Sequence, residues 1–192
     1  PESEFSLIKT FFSEPEQCSR KEIVLGIGDD CALISSDNSH LLAISIDTLV
    51  QGVHFPDNTS PEAIAHKALA VNLSDLAAMG AEPAWFTLSL TLPSANPDWM
   101  KKFSQSLFNL ASRYNLALIG GDTTRGPLSI TIQICGYLPP QGGIRRTGAR
   151  AGDLVCVTGP LGAASMGLDI ILGGQDSQYD VLTDSQRQQA VH

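Results

Sequence analysis

Four aspartates stand at positions from which a carboxylate can reach into a shared cleft. Asp30 closes the glycine-flanked turn Gly26-Ile27-Gly28-Asp29-Asp30. Asp47 ends the apolar run Leu41 to Ile46, and Asp122 follows Leu116 to Ile119 and a Gly120-Gly121 pair. Asp75 lies in Ile64 to Gly80, IAHKALAVNLSDLAAMG, where from Ala68 onward only Asn72, Ser74 and Asp75 are polar. A carboxylate on a buried helix is costly unless it is paired, hydrogen-bonded or bound to a metal. Lysines and arginines are scarce in these segments, so the carboxylates have no obvious protein partner. Hard oxygen ligands with few histidines suit Mg²⁺, which takes a few carboxylates together with water and phosphate oxygens. Taken singly, each aspartate also has an ordinary structural role. Asp30 and Asp122 fit turns, Asp47 a cap or turn, and Asp75 a hydrogen bond to a cap or to Asn72, three residues away on the same helical face.

The remaining motifs narrow the chemistry. No GxxxxGK[ST] loop, HExxH or GxSxG is present, and Cys31 takes the third glycine position of a dinucleotide fingerprint. Gly159 to Gly162 could hold an anion at a helix N-terminus, although a tight strand-to-helix turn also uses such glycines. Arg145 and Arg146 are either solvated surface charge or a phosphate clamp. His54 is a loop histidine or a ligand.

These residues need a scaffold, and the pattern predicts one of mixed α/β (α+β) class. Helices are predicted over Phe5 to Phe12, from Ser60 as N-cap and Pro61 at the first helical position to Gly80, over Pro97 to Tyr114, and over Ala163 to Leu172. The apolar character of the second predicts a buried helix. Strands are predicted at Ile23 to Leu25, Cys31 to Ile34, Leu41 to Ile46, Ala84 to Leu92, Leu116 to Ile119 (buried), Leu128 to Leu138 and Asp153 to Thr158. Gln51 to Pro56 is a loop, and Ser13 to Glu22 a polar connector. The Pro-, Gly- and Arg-rich stretch from Pro139 to Ala151 has the composition of a linker.

The 192 residues suit one large domain or one and a fraction. With 43% hydrophobic residues and a net charge of −8, a proper core is expected and a nucleic-acid partner is not. The four cysteines form no CxxC pair, which argues against zinc, and Cys31, Cys135 and Cys156 sit in apolar runs as expected of buried, reduced thiols. No signal peptide or membrane span is read, so the expected location is the cytoplasm. The chain starts without methionine and stops inside a polar helical pattern, as a fragment of a longer protein would.

Read in order, GIGDDCALI, LAISIDTLVQGVHF, HKALAVNLSDLAAMGAEP, LIGGDTTRGPLSITIQICG and RRTGARAGDLVCVTGPLG resemble the thiamine-monophosphate kinase family from about Glu4 to about Leu172. The resemblance implies the two-domain fold of the aminoimidazole ribonucleotide synthetase-like superfamily, which also includes selenophosphate synthetase and a hydrogenase maturation factor. It implies a first domain of mixed sheet and packed helices over 1–140 that binds ATP and Mg²⁺ and dimerises, a linker over 141–152, and an incomplete second domain over 153–192. The family's Asp-Leu-Ser-Asp-Gly-type and Gly-Gly-Glu-Asp-Tyr-type motifs are absent from this sequence. Asp30, Ser45, the backbone of Ile46, Asp47, Asp75 and Asp122 match the family's magnesium ligands. Gly121, Asp122 and Arg146 match ATP contacts, and His54 matches a contact to thiamine phosphate. Asp29 belongs to the first motif but takes no assigned role. The implied reaction is phosphorylation of thiamine monophosphate by ATP. The homodimer would pair through the sheets, with Ala84 to Leu92 and Leu128 to Leu138 as candidate strands. The alternatives are another ATP-dependent enzyme of the superfamily, or a non-catalytic dimerising or nucleotide-binding fragment.

Overall fold

A computed structural model describes residues 22–25, 29–35, 39–159 and 161–172. The expected helix at Phe5 to Phe12 and nearly all of the following connector lie outside the described residues. The chain divides into two compact units, Pro1–Gly148 and Ala149–His192, with the division inside the linker-like stretch.

Among the described residues, the first unit is built on a six-stranded sheet in the order β1-β2-β3-β6-β4-β5. Its strands are β1 (Ile23–Leu25), β2 (Ala32–Ser35), β3 (Leu41–Val50), β4 (Glu82–Leu92), β5 (Ala117–Arg125) and β6 (Ser129–Leu138). Every β3 residue from Leu41 to Val50 pairs antiparallel with β6, from Leu138 to Ser129. Ile-rich β6 also pairs antiparallel with β4, which pairs parallel with β5. β3, β4 and β5 therefore run the same way, with β6 inserted against them. Their C-terminal ends share one end of the sheet, where open α/β sheets bind ligands.

Helix α1 (Pro61–Met79) forms where local chemistry asks for it. Ser60 caps it by accepting from the Ala63 N–H at 3.2 Å, and Pro61 pre-sets the first helical φ. Gly80 ends it in the left-handed region at φ 72°, donating to the Ala77 carbonyl. α1 lies on β3, β6 and β4, and α2 (Pro97–Arg113) packs on α1. The core is the layer between them: Leu33, Ala43, Phe86, Leu90, Ile130, Ile132 and Ile134 from the sheet meet Leu69, Leu76, Phe103 and Leu107 from the helices.

Three expectations need correction. α1 is buried on one face only: Ser74, Ala77 and Ala78 face solvent, because small residues expose too little apolar area to force a second layer over them. β5 runs on to Arg125 and is not buried; Ile119 is 62% exposed. It is the sheet edge, beyond the strands that α1 covers.

The third correction falls in the second unit. Residues 153–157 form no strand, and Leu154 and Val155 are 90% and 96% exposed. No strand of that unit lies beside them among the described residues, and a lone strand leaves its backbone groups unpaired. Cys156, expected to be buried, is exposed with them. Beyond this segment, Gly162 caps helix α3 (Ala163–Ile171) in the left-handed region at φ 93°, without a side-chain hydrogen bond.

Candidate functional site

β3 and α1 carry Asp47 and Asp75 and are joined through Ser45. Along β3 alternate residues face α1: Leu41, Ala43 and Leu49 are buried there, and Ser45 and Asp47 belong to the same row. The Ser45 hydroxyl donates to Asp75 Oδ2 at 2.5 Å, joining strand to helix. Burial pushes the Asp75 carboxyl up from its ordinary value, the Ser45 hydrogen bond pulls it back down, and the charges of Asp47 and Asp30 push it up again. The charges of Asp47 and Asp30 thus reach Asp75, and Ser45 stands between strand and helix. Cys31, next to Asp30, places its thiol 3.7 Å from the Asp75 carbonyl oxygen. Burial, then the charges of Asp75, Asp30 and Asp29, push that thiol up to about 12, so it stays protonated.

The turn before β2 is held from a distance. The Arg146 N–H donates to both carboxylate oxygens of Asp29, each at 3.3 Å. Ile144 N–H donates to the Met79 carbonyl at 3.0 Å, and a Cβ on Gly143 would lie 2.2 Å from that oxygen. The Gly143–Arg146 segment thus crosses the end of α1 in backbone contact and delivers Arg146 beside the Asp29-Asp30 turn. Asp29 was not assigned in the sequence, yet it makes this tie.

His54 lies in the loop after β3. Its Nδ1 accepts the Val50 N–H at 3.0 Å, so the proton of the neutral ring is on Nε2. Lys67 of α1 donates to the His54 carbonyl at 2.5 Å, which ties the loop down.

Asp122 is placed apart. It pairs with Ser89, whose row continues through Thr131 to Thr48. Thr48 and Thr131 hydrogen-bond through their hydroxyls at 2.8 Å on the sheet face opposite Asp47. Asp122 is thus at the same end of the sheet as Asp47, three strands away (roughly 14 Å) and in a row of the other face. Gly121 sits against β4 so closely that a Cβ there would lie 1.9 Å from the Leu88 carbonyl oxygen. Beyond it, Thr123, Thr124 and Arg125 line a cleft of about 520 Å³ with Leu92 to Ala95. Sequence reasoning missed this cleft, although the GGDTTR run marked its position. Among the described residues, no three His, Cys, Asp or Glu side chains converge tightly enough to enclose a metal ion by themselves.

This arrangement has relatives. Residues 28–138 match the family model described as AIR synthase related protein, N-terminal domain. The chain belongs to that family. Within it, the chain is 54% identical over 168 residues to a thiamine-monophosphate kinase of Escherichia coli, covering 88% of this chain and 51% of that protein. It thus spans about half the length of the curated relatives it matches. Among solved structures it is similar to thiamine-monophosphate kinase from Stenotrophomonas maltophilia, with a TM-score of 0.72 and 44% identity over 90% of this chain and 55% of that one. It also matches AaThiL complexed with AMPPCP and TMP, with a TM-score of 0.75 and 30% identity over 85% of this chain and 51% of that one. The resemblance read from the five motifs is borne out, as is the mixed α/β fold of this family. Among the described residues no helix is long and apolar enough to cross a membrane.

Proposed function

We propose that this chain serves the ATP- and Mg²⁺-dependent phosphorylation of thiamine monophosphate to thiamine diphosphate in the cytoplasm. The observation that carries the reading is the Ser45–Asp75 hydrogen bond, which joins the β3 row of Asp47 to α1, in a chain 54% identical to a thiamine-monophosphate kinase. The acceptor is a phosphate oxygen, ionised at neutral pH, so the reaction needs no strong general base. Its difficulty is the meeting of two polyanions near several carboxylates.

The donor set fits Mg²⁺. Burial and the charges of Asp47 and Asp30 push the Asp75 carboxyl up, and a divalent cation would relieve both. Asp30, Asp47 and Asp75, with the Ser45 hydroxyl and the Ile46 carbonyl, would hold it, and Asp122 would hold metal at the nucleotide. Mg²⁺ keeps waters and phosphate oxygens in its shell, so it would ask few ligands of the protein. Bound there, Mg²⁺ supplies neutralisation and alignment of phosphate oxygens. Gly121 lets a nucleotide approach the backbone, Arg146 adds positive charge to it, and the His54 Nε2–H donates to the thiamine phosphate.

The same reading assigns a homodimer. The sheet face turned away from α1 carries Ile46, Trp85 and Tyr137, with Trp85 and Tyr137 in edge contact at 5.4 Å. β4 and β6 would present this face to a second copy.

The test is to incubate the chain with Mg²⁺, ATP and thiamine monophosphate and follow thiamine diphosphate by chromatography, with Mg²⁺-dependent AMPPCP binding measured in parallel. Product supports the full reading. Binding without product, lost in Asp122→Asn, supports the metal and nucleotide roles alone. Absence of both returns the aspartates to structural roles.

A further inference from the structure

Two polar side chains are buried among the described residues of the first unit, and both flank Asp75. One is Ser45, already bonded to it. The other is Asn72, 1% exposed, one turn before Asp75 on the same face of α1. The Asn72 amide nitrogen donates to the Ala68 carbonyl at 2.9 Å, which sets the orientation of the side chain. Its other end, Oδ1, is buried and has no hydrogen-bond partner. A buried acceptor in that condition has given up water for nothing. Leucine has the same branched outline and carries no polar atom to leave unpaired. The orphaned oxygen is an uncharged hard donor on the face of α1 that carries Asp75 one turn further on.

We propose that Asn72 Oδ1 is an oxygen donor to the divalent cation gathered by the Asp75 cluster. The inference rests on the Mg²⁺ reading of that cluster. An amide oxygen adds to the coordination without adding to the negative charge that Asp30, Asp47 and Asp75 have accumulated. Anchoring through Ala68 means the oxygen is in place before the ion arrives, so little ordering is needed on binding.

The experiment is a Mn²⁺ titration of the chain followed by electron paramagnetic resonance, with thermal unfolding measured with and without Mg²⁺. Asn72→Leu is expected to weaken Mn²⁺ binding about tenfold and to lose most of the Mg²⁺-dependent rise in Tm. Asn72→Asp is expected to lower the metal-free Tm while binding Mn²⁺ at least as tightly. If Asn72→Leu fails to fold, Asn72→Ser carries the same expectation of weakened binding. Mn²⁺ affinity within twofold of the parent in Asn72→Leu or Asn72→Ser overturns the inference. If Asp75→Asn weakens binding in that same series, the cluster reading survives and only the role of Asn72 falls. If Asp75→Asn also binds normally, or the parent takes no Mn²⁺, both fall.

Discussion

Ser45 and Asp75 are thirty positions apart, yet the Ser45 hydroxyl donates to the Asp75 carboxylate at 2.5 Å. That bond locks the middle of β3 to the last turns of α1. It also opposes the burial and like charge that push Asp75 toward protonation. Removing it in Ser45→Ala should cost about 1 kcal/mol of stability, the usual net worth of such a bond. It should also raise the Asp75 carboxyl further. Urea unfolding gives the first number, and a carboxyl titration followed by NMR gives the second.

The raised Asp75 carboxyl has a definite sign in the pH dependence of stability. A carboxyl whose value in the folded state lies above its ordinary 3.8 binds a proton more tightly when folded. Its penalty is absent below 3.8, grows as pH rises through the folded value, and is complete above it. Asp75→Asn should therefore be more stable than the parent at neutral pH, and the difference should vanish in acid. Tm measured from pH 3 to pH 8 for both chains checks this. A gap that widened in acid would contradict it.

Gly143 is the place where a single methyl group should matter. A Cβ there meets the Met79 carbonyl oxygen at 2.2 Å, against backbone that cannot swing aside. Gly143→Ala should cost about 1–3 kcal/mol and loosen the segment that carries Arg146 to Asp29. Weaker AMPPCP binding should accompany it, since Arg146 is proposed to contact the nucleotide. Denaturant midpoints and a calorimetric titration would show the two effects together.

Thiol reactivity should sort by burial rather than by sequence context. Cys31 is buried with its thiol pushed up to about 12, and burial also raises Cys135. Cys156 is exposed. Iodoacetamide at pH 8 should modify Cys156 quickly and leave Cys31 and Cys135 intact until the chain is unfolded, as read by peptide mass mapping.

Much of the scaffold was legible because its signals are local. Ser60, Pro61 and Gly80 bound α1 within a few residues of their own positions, and β3 and β6 announce themselves as long apolar runs. The strand at 153–158 was misread because an apolar run promises a strand only when another strand is there to pair with it. β5 was misread as buried because its sequence cannot say that it lies at the sheet edge.

For the site, the sequence alone determined which residues could carry the chemistry: aspartates placed after strands and on an apolar helix, with glycines beside them. Family membership followed from those same motifs. Tertiary structure decided who meets whom. It paired Asp75 with Ser45 rather than with a cap or with Asn72, left Asn72 Oδ1 without a partner, and tied Arg146 to Asp29 across 117 positions. It also put Asp122 in a row of the sheet face opposite Asp47. The physical reason is the period of the pleat. Side chains alternate faces at every residue, so one step of register moves a carboxylate from one side of the sheet to the other, and register is set only when distant strands pair.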